Sequence, residues 1–450
     1  MTSGAQQQTA VHAVIGLGAS GQSCVRYLRG QGLAVVAFDS RADAPGAAAV
    51  RRAHPEVEVV TGALDAARLA GCGQLVISPG VPLDQPAFAA ARAAGVALLG
   101  DIELFARAAR APLAAITGTN GKSTVTTLVA DMLATAGRDV RSGGNLGPPA
   151  LDLLHSREPD CYVLELSSFQ LELTTSLAPA VAAILNITPD HLDRHGSFEA
   201  YVAAKARILE RADIAVLNAD DPVVDALPVR GKRLSFTLGA PGPARFGLRR
   251  EGARTWLAGP EADLIALDEL AMAGMHNVAN ALAAAAMAHA LGADDASVAQ
   301  VLRSFRGLRH RAESTGTVDG VRYINDSKAT NPGAAIASIE GLLGDRDGVL
   351  IAGGEAKGAT FEAFAEVVAR RAHTVVLLGR AARDIERALA GRCDCLVATD
   401  MPAAVQAARH AARAGDTVLL SPACASLDMF ANYAERGELF VAAVAALEEA

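Results

Sequence analysis

Short apolar runs recur along this chain, each followed by small or polar residues and then by a stretch whose apolar positions have helical spacing. Residues 11–15, 33–38 and 74–78 form the first such series, and the stretch through Leu28 reads as a helix. Short apolar strands alternating with helices are the pattern of a parallel sheet covered on its faces. After Gly100 a second series predicts strands at 113–117, 161–166, 181–188 and 214–218. Between 236 and 265, glycine, proline and alternation around Trp256 predict a small antiparallel excursion. An Ala-rich helix over 277–291 and another ending near Phe305 lead to a third series, with strands at 321–324, 348–351, 374–378 and 417–420. Joints near Gly100 and Gly307 divide the chain into 1–100, 101–307 and 308–450. The expected class is α/β in three domains, in line with 450 residues at roughly 150 per domain. No short-period repeat and no low-complexity linker interrupts the pattern.

Composition narrows the function. Apolar types make up 51% and charged types 20%, too apolar for a disordered chain. A net charge of −8 argues against a nucleic-acid or anionic-membrane surface. The most apolar stretch, near 281–290, is mostly alanine and is broken by His289, so no membrane span is expected. Residues 1–10 hold no basic residue and no apolar core, so no secretory signal is read there. Six cysteines, of which only Cys393 and Cys395 are close, form neither a disulfide framework nor a zinc pattern. The expectation is a cytoplasmic protein and a monomer.

Of 41 basic residues only five are lysines: Lys122, Lys205, Lys232, Lys328 and Lys357. Where arginine supplies the generic cation, a lysine is a candidate for work a guanidinium cannot do, such as a compact phosphate contact or amine chemistry. Four of the five fall in motifs.

Gly16-x-Gly18-x-x-Gly21 stands between a strand and a helix, and Asp39 lies eighteen residues after Gly21. Such a loop lets a nucleotide diphosphate approach backbone at a helix N-terminus, and an acid beyond it can hold a hydroxyl or an imide-like edge. Thr117-Gly118-Thr119-Asn120-Gly121-Lys122-Ser123-Thr124 is the stronger signal, a phosphate loop opening a helix to about 136. Its glycines turn N–H groups toward phosphate, Lys122 reaches the terminal phosphates and Ser123 can ligate Mg²⁺. Position 116 is Ile, so the loop is shorter than the usual eight-residue form. Glu165 at one strand end and His191 beyond another join Lys122 where open α/β sheets collect ligands. On local pattern alone Lys205, within helical 201–207, reads as a surface cation. Three clusters follow strands of the third series: Asn325 to Asn331, Gly353 to Gly358 and Ser421 to Phe430. Their small residues suit a carboxylate or phosphate at helix N-termini, or ordinary turns.

Taken together, GTNGKST at 118–124, LELSSFQLE at 164–172, NDSKATN at 325–331 and SPACASLDMF at 421–430 resemble the Mur ligase family, and its D-glutamate-adding type in particular. The likeness runs from about 12 to 440. It implies a Rossmann-like N-terminal domain for a UDP-sugar, a central P-loop-type ATPase domain with the antiparallel addition, and a Rossmann-like C-terminal domain for the amino acid. It implies that ATP phosphorylates the alanyl carboxylate of UDP-N-acetylmuramoyl-L-alanine and that D-glutamate attacks the acyl phosphate. By the same resemblance Gly118, Thr119, Asn120, Gly121, Lys122, Ser123, Thr124, Asn280, Arg311, Asp326 and Lys328 hold ATP. Ser123 and Glu165 match one Mg²⁺ position; His191 and a carbamylated Lys205 match a second. Lys122, Glu165, His191 and Lys205 are then the catalytic set. A carbamate is an oxygen ligand that arginine cannot form, which answers why a lysine stands at 205. Ala19, Ser20, Asp39, Ser40, Ser78, Gly80, Asn145 and Gln170 match UDP-sugar contacts, and Thr330, Lys357, Ser426 and Tyr433 a D-glutamate pocket. Two departures stand out: Arg309 where the family often has proline before His310-Arg311, and Tyr433 where phenylalanine is familiar. Sites split over three domains imply that the third closes on the others about Gly307.

Other classes explain less. An NAD-dependent dehydrogenase would use the first hundred residues and leave GTNGKST idle. A non-catalytic nucleotide-binding regulator would have no use for His191 and Lys205. A folate-type acceptor would need a pterin site where Asp39 and the first glycine loop stand.

Overall fold

The computed structural model describes residues 11–356 and 358–448. Three sheets follow one another along the chain. The first joins β1 His12–Ile15, β2 Val35–Asp39, β3 Glu58–Thr61, β4 Gln74–Ile77 and β5 Ala97–Leu99 in the order β3-β2-β1-β4-β5. Every pairing in it is parallel.

The middle sheet holds β6 Leu113–Thr117, β7 Val140–Gly144, β8 Cys161–Glu165, β9 Val181–Ile184, β10 Ile214–Asn218, β11 Lys232–Phe236, β12 Arg245–Glu251, β13 Arg254–Ala258 and β14 Asp263–Ala266. Its order is β14-β13-β12-β11-β10-β9-β6-β8-β7. It is parallel from β7 to β12, and β12 to β14 form the antiparallel addition. The third sheet orders β15 Glu313–Val318, β16 Val321–Asn325, β17 Gly348–Gly353, β18 Ala372–Leu378, β19 Asp394–Val397 and β20 Thr417–Leu420 as β15-β16-β20-β17-β18-β19. Only β15 and β16 run antiparallel in it.

The strands missed from the sequence, β3, β5, β7, β11, β15 and β19, are those with half-exposed or exposed positions and few consecutive apolar residues. Five of the six lie at sheet edges, where one flank needs no apolar cover. The run predicted at 181–188 stops pairing at Ile184, and the rest is a loop. The fully apolar interior strands were legible because both their faces are buried.

The first two units share one hydrophobic cluster, in which Val14, Leu17 and Val76 meet Phe105, Tyr162 and Leu164. The third unit packs its sheet between clusters of its own, around Phe364 and Ile385 on one side and Phe440 and Val405 on the other. The Ala-rich helix Met275–Ala290 is buried from Ala281 to Ala288. A helix apolar all round belongs inside, and its small side chains let it lie close against the middle sheet. Cys393 is buried in the third unit's core and Cys395 is half-buried on the edge strand β19.

The glycine loop after β1 is fixed by close approach rather than by loop freedom. A Cβ on Gly21 would stand 1.8 Å from the Gly16 carbonyl oxygen and 2.8 Å from Ser78 Oγ. Gly30, at the far end of the same helix Ala19–Gly30, has nothing within 4 Å. Gly21→Ala is therefore expected to destabilise the first unit by about 3 kcal/mol, whereas Gly30→Ala leaves it unchanged or slightly firmer. Urea unfolding of the two variants against the parent chain checks this, and equal midpoints would refute it.

Candidate functional site

The middle sheet's order makes neighbours of the three strand ends that carry chemistry, because β6 lies between β8 and β9. From β6 the chain turns through Gly118, at φ +154°, and Gly121, at φ +82°, into the helix Lys122–Thr135. A Cβ on Gly121 would lie 2.3 Å from Asn280 Oδ1, so glycine is needed there on both counts. Lys122 curls back over the loop, its Nζ donating to the carbonyls of Gly118 at 2.9 Å and Thr119 at 2.8 Å. Buried Ser123 donates to Glu165 Oε2 at 2.5 Å, and Asn145 Nδ2 donates to Glu165 Oε1 at 2.6 Å. Arg311, arriving from the third unit, donates to Ser123 Oγ at 2.7 Å.

Lys205 corrects its local reading. It is no surface cation but only 2% exposed, its Nζ donating to that same Gly118 carbonyl at 2.8 Å and lying 4.7 Å from the centre of the Tyr201 ring. The helix Phe198–Ala206 turns this residue inward against the phosphate loop, and nothing in 201–207 betrays that from sequence. Burial first, then the positive charge of Lys122, holds the Lys205 ammonium well below its ordinary range. Burial likewise lowers Lys122, against the pull of Glu165. For Glu165 burial acts upward, but Lys122, Ser123, Asn145 and Arg311 together hold it below the usual carboxylate range. Two lysines and an arginine thus converge on a pocket whose charged partners are Glu165 and Asp190. Lys122 and Arg311 suit a phosphate group there, while the depressed Lys205 offers a neutral nitrogen.

His191 follows β9 in a left-handed conformation at φ +53°, its ring edge-on to Phe169 at 4.9 Å. It lines a cleft of about 270 Å³ with Thr119 to Ser123, Glu165, Lys205, Arg311, Lys328 and Thr330. A second cleft of about 290 Å³ opens beside it, between Asn120, Gly121 and Thr124 on one side and Asn280, Arg311, Asp326 and Lys328 on the other. Burial pushes Asp326 up to about 6, even though Ser338, the Ala312 N–H and Ser421 donate to it.

The first unit's cleft, about 670 Å³, carries Ala19, Ser20, Asp39, Ser40, Ser78, Gly80, Asn145 and Gln170 on its wall. Asn145 also lines the phosphate cleft, so the two are continuous in chemistry. Asp39 is already engaged: Leu17 N–H and the Arg41 guanidinium donate to it at 3.0 Å each. The Arg41 hydrogen bond, outweighing burial, brings its carboxyl down to about 2. Gln170 is held from two sides, accepting from Ser167 N–H at 3.1 Å and donating to Asp101 at 3.0 Å.

The residues matched to an amino-acid pocket are less gathered. Thr330 lines the phosphate cleft, and the Tyr433 ring lies 4.0 Å from Lys328 Nζ. Ser426 is buried after β20, where its carbonyl accepts from Met429 and Phe430. Lys357 lies outside the described residues. Arg309, the departure from proline, donates to Glu438 Oε2 at 3.0 Å and so ties the joint to the helix Tyr433–Glu448.

Two contributors escaped the sequence, and a third, Asn331, stood out only as part of the cluster at 325–331. Asn331 donates to Asp190 Oδ2 at 3.1 Å, a second bridge between the third and middle units. Arg436, 1% exposed, donates to Ser327 Oγ, Ser327 O and Cys424 O, and so stitches the loop after β16 to the loop after β20. Burial brings it to about 10. Asp101 is 1% exposed behind Gln170. On a helix, Arg436 and Asp101 read as ordinary surface charges; only the tertiary fold buries them.

A phosphate loop at adjacent strand ends, flanked by one α/β unit with a nucleotide-sized cleft and another reaching over Ser123, defines a three-part nucleotide-using α/β enzyme. Residues 10–100 match the MurD-like N-terminal domain of Mur ligases, 116–288 the Mur ligase middle domain, and 310–424 the Mur ligase glutamate ligase domain. The chain belongs to the Mur ligase family. It is 50% identical to the UDP-N-acetylmuramoylalanine–D-glutamate ligase of Pseudomonas syringae over 96% of this chain and 97% of that one. With the enzyme of the same name from Nitrosococcus oceani it shares 47% identity over 97% of each. Its fold matches that of the UDP-N-acetylmuramate-alanine ligase MurC from Thermotoga maritima at a TM-score of 0.61 and 21% identity, covering 97% of this chain and 99% of that one. Among the described residues no helix is long and apolar enough to cross a membrane.

Asp101 supplies a pH test. Burial raises its carboxyl from 3.8 to about 6, and one of its oxygens has no hydrogen-bond partner among the described residues. A folded-state value above the unfolded one means that Asp101's own contribution to stability is greatest below pH 4 and falls as pH rises toward 6. Asp101→Asn keeps an acceptor for Gln170 and removes the charge. Relative to the parent, the variant is expected to gain about 2 kcal/mol between pH 4.5 and 7.5, at 1.36 kcal/mol per unit. Urea unfolding at both pH values reads this, and parallel curves would mean Asp101 titrates normally.

Proposed function

We propose that this chain joins D-glutamate to UDP-N-acetylmuramoyl-L-alanine at the expense of ATP, releasing ADP and phosphate. The observation that carries the reading is the cleft in which Lys122 and Arg311 converge on Ser123 and Glu165, with Lys205 buried beside them, opening toward the first unit's cleft through Asn145. Near 50% identity to D-glutamate ligases over nearly the whole length supports the substrate pair. The first cleft takes the UDP-sugar, the cleft beside Asn280 and Asp326 takes ATP, and the third unit brings D-glutamate by way of Thr330, Lys357, Ser426 and Tyr433. All residues invoked belong to one chain, so the reading needs no second copy.

In this reading a carboxylate oxygen of the alanyl group attacks the γ-phosphorus of ATP and the bond to ADP breaks. Lys122 and Arg311 hold the charge of the transferring group. The amine nitrogen of D-glutamate then attacks the acyl carbon, the bond to phosphate breaks, and the nitrogen gives up its proton. Both steps gain from a cleft that excludes water, since an acyl phosphate hydrolyses readily.

The donor set fits Mg²⁺. Ser123 and Glu165 offer a hydroxyl and one carboxylate side by side, the sparse oxygen set Mg²⁺ accepts when phosphate and water complete its shell. Among the described residues no three His, Cys, Asp or Glu side chains stand together as a cage, so phosphate oxygens belong to the set. A second position at His191 fits only with Lys205 as a carbamate; its burial favours the neutral amine that takes up carbon dioxide. Bound divalent ions would neutralise developing charge on phosphoryl and acyl oxygens.

Phosphate release measured with ATP, Mg²⁺, bicarbonate and UDP-N-acetylmuramoyl-L-alanine is expected to require D-glutamate and to yield a UDP-linked dipeptide, with L-glutamate and D-alanine inert. Release indifferent to the acceptor would overturn the D-glutamate pocket, and no release would overturn the ligase reading. Lys205→Arg keeps the charge but cannot form a carbamate, and is expected to lower kcat at least about a hundredfold; near-normal turnover would remove Lys205 from the catalytic set.

A further inference from the structure

Ser168 opens the helix Ser168–Glu172 and lines the phosphate cleft with Lys122, His191 and Lys205. Its hydroxyl lies 3.0 Å from His195 Nε2, and His195 Nδ1 lies 3.1 Å from Glu172 Oε1. The His195 side chain is 1% exposed, closed in by Phe169, stacked at 5.3 Å, and by Tyr201 at 5.2 Å. The second Glu172 oxygen is 3.3 Å from Arg194 Nη2; burial raises the Glu172 carboxyl, and the positive charges of Arg194 and Arg207 oppose that rise. A carboxylate at that distance from a ring nitrogen calls for a proton on the nitrogen. Nδ1 therefore carries it, and Nε2 of the neutral ring offers a lone pair.

The consequence reaches the cleft. With Nε2 as acceptor, the Ser168 hydroxyl donates its proton away from the cleft, and its oxygen can there only accept. An attacking amine needs that kind of partner, one that takes an N–H while the nitrogen lone pair points at the acyl carbon. Arg194, held by Glu172, also donates to the Val81 carbonyl at 3.3 Å, on the wall of the first unit's cleft. One half-buried carboxylate thus stands behind both a hydroxyl in the reaction cleft and an anchor to the nucleotide cleft.

We propose that Glu172 and His195 are positioning residues that fix the polarity of the Ser168 hydroxyl, making Ser168 the acceptor that orients the amine of the incoming amino acid. The amine rests on the ligase reading above; the proton arrangement does not.

The test uses the full chain labelled with ¹⁵N-histidine, the His195 signals being assigned by their loss in His195→Phe, which keeps a ring in the stack. Nδ1 is expected protonated and Nε2 bare, with Glu172→Gln disturbing that preference. Protonated Nε2 in the parent chain would overturn the proposal. In D-glutamate-dependent turnover, His195→Phe and Ser168→Ala are each expected to lower kcat about tenfold, the worth of one hydrogen bond, with KM for ATP within about twofold. The double variant is expected to lose no more than the worse single one, because both break one chain. Multiplying losses, or equal losses in KM for ATP, would overturn it. A parent chain without D-glutamate-dependent turnover would instead overturn the ligase reading and the amine with it, while the ring nitrogens still decide the proton arrangement.

Discussion

One backbone carbonyl organises this molecule. The Gly118 oxygen accepts from both Lys122 and Lys205, so two amines that repel each other are held within reach of the same atom inside the protein. Burial of one such charge is costly and of two more so. The arrangement stands because Glu165 and Asp190 lie close and because the fold around it is over-determined. Gly118 and Gly121 have the backbone freedom to turn the carbonyl inward, and Asn280 closes behind the loop where a side chain would collide. A polyanion completes this balance, which is why affinity for phosphate follows from the loop before any ligand is named.

The division of the hydrophobic clusters determines how the rest is arranged around that carbonyl. The first and middle units share apolar packing and behave as one support. The third unit meets the phosphate cleft through polar bridges, Arg311 to Ser123 and Asn331 to Asp190. Polar contacts of this kind exchange for water far more cheaply than a packed apolar interface. The joint itself carries Gly307 at φ +99° and then Arg309, tied to Glu438. An ion pair to the helix Tyr433–Glu448 couples the turn to the third unit.

The sequence disclosed what repeats and what is chemically odd. Interior strands such as β6 and β8 were legible because burial on both faces makes them uniformly apolar, and the phosphate loop because its glycines and Lys122 have few other uses. Edge strands such as β3 and β19 were not, since half their positions face water. Charged residues in helices were least legible. Lys205 and Arg436 look alike in the chain and like any solvated cation, yet both are buried to within 2% by elements far away in sequence. The scarcity of lysine singled out the first; arginine, supplied everywhere, hid the second.

That asymmetry has a physical root. A guanidinium spreads its charge over a planar fork of donors and stays charged even when buried, so Arg436 can serve as a permanent clamp among the carbonyls of Ser327 and Cys424. An ammonium concentrates its charge and yields its proton when burial and a like charge press on it, as they do at Lys205. The first property fixes loops; the second makes a nitrogen available for chemistry. The fold uses each cation where only its own behaviour serves, the arginine behind the third sheet's strand ends and the lysine at the phosphate loop of the middle one.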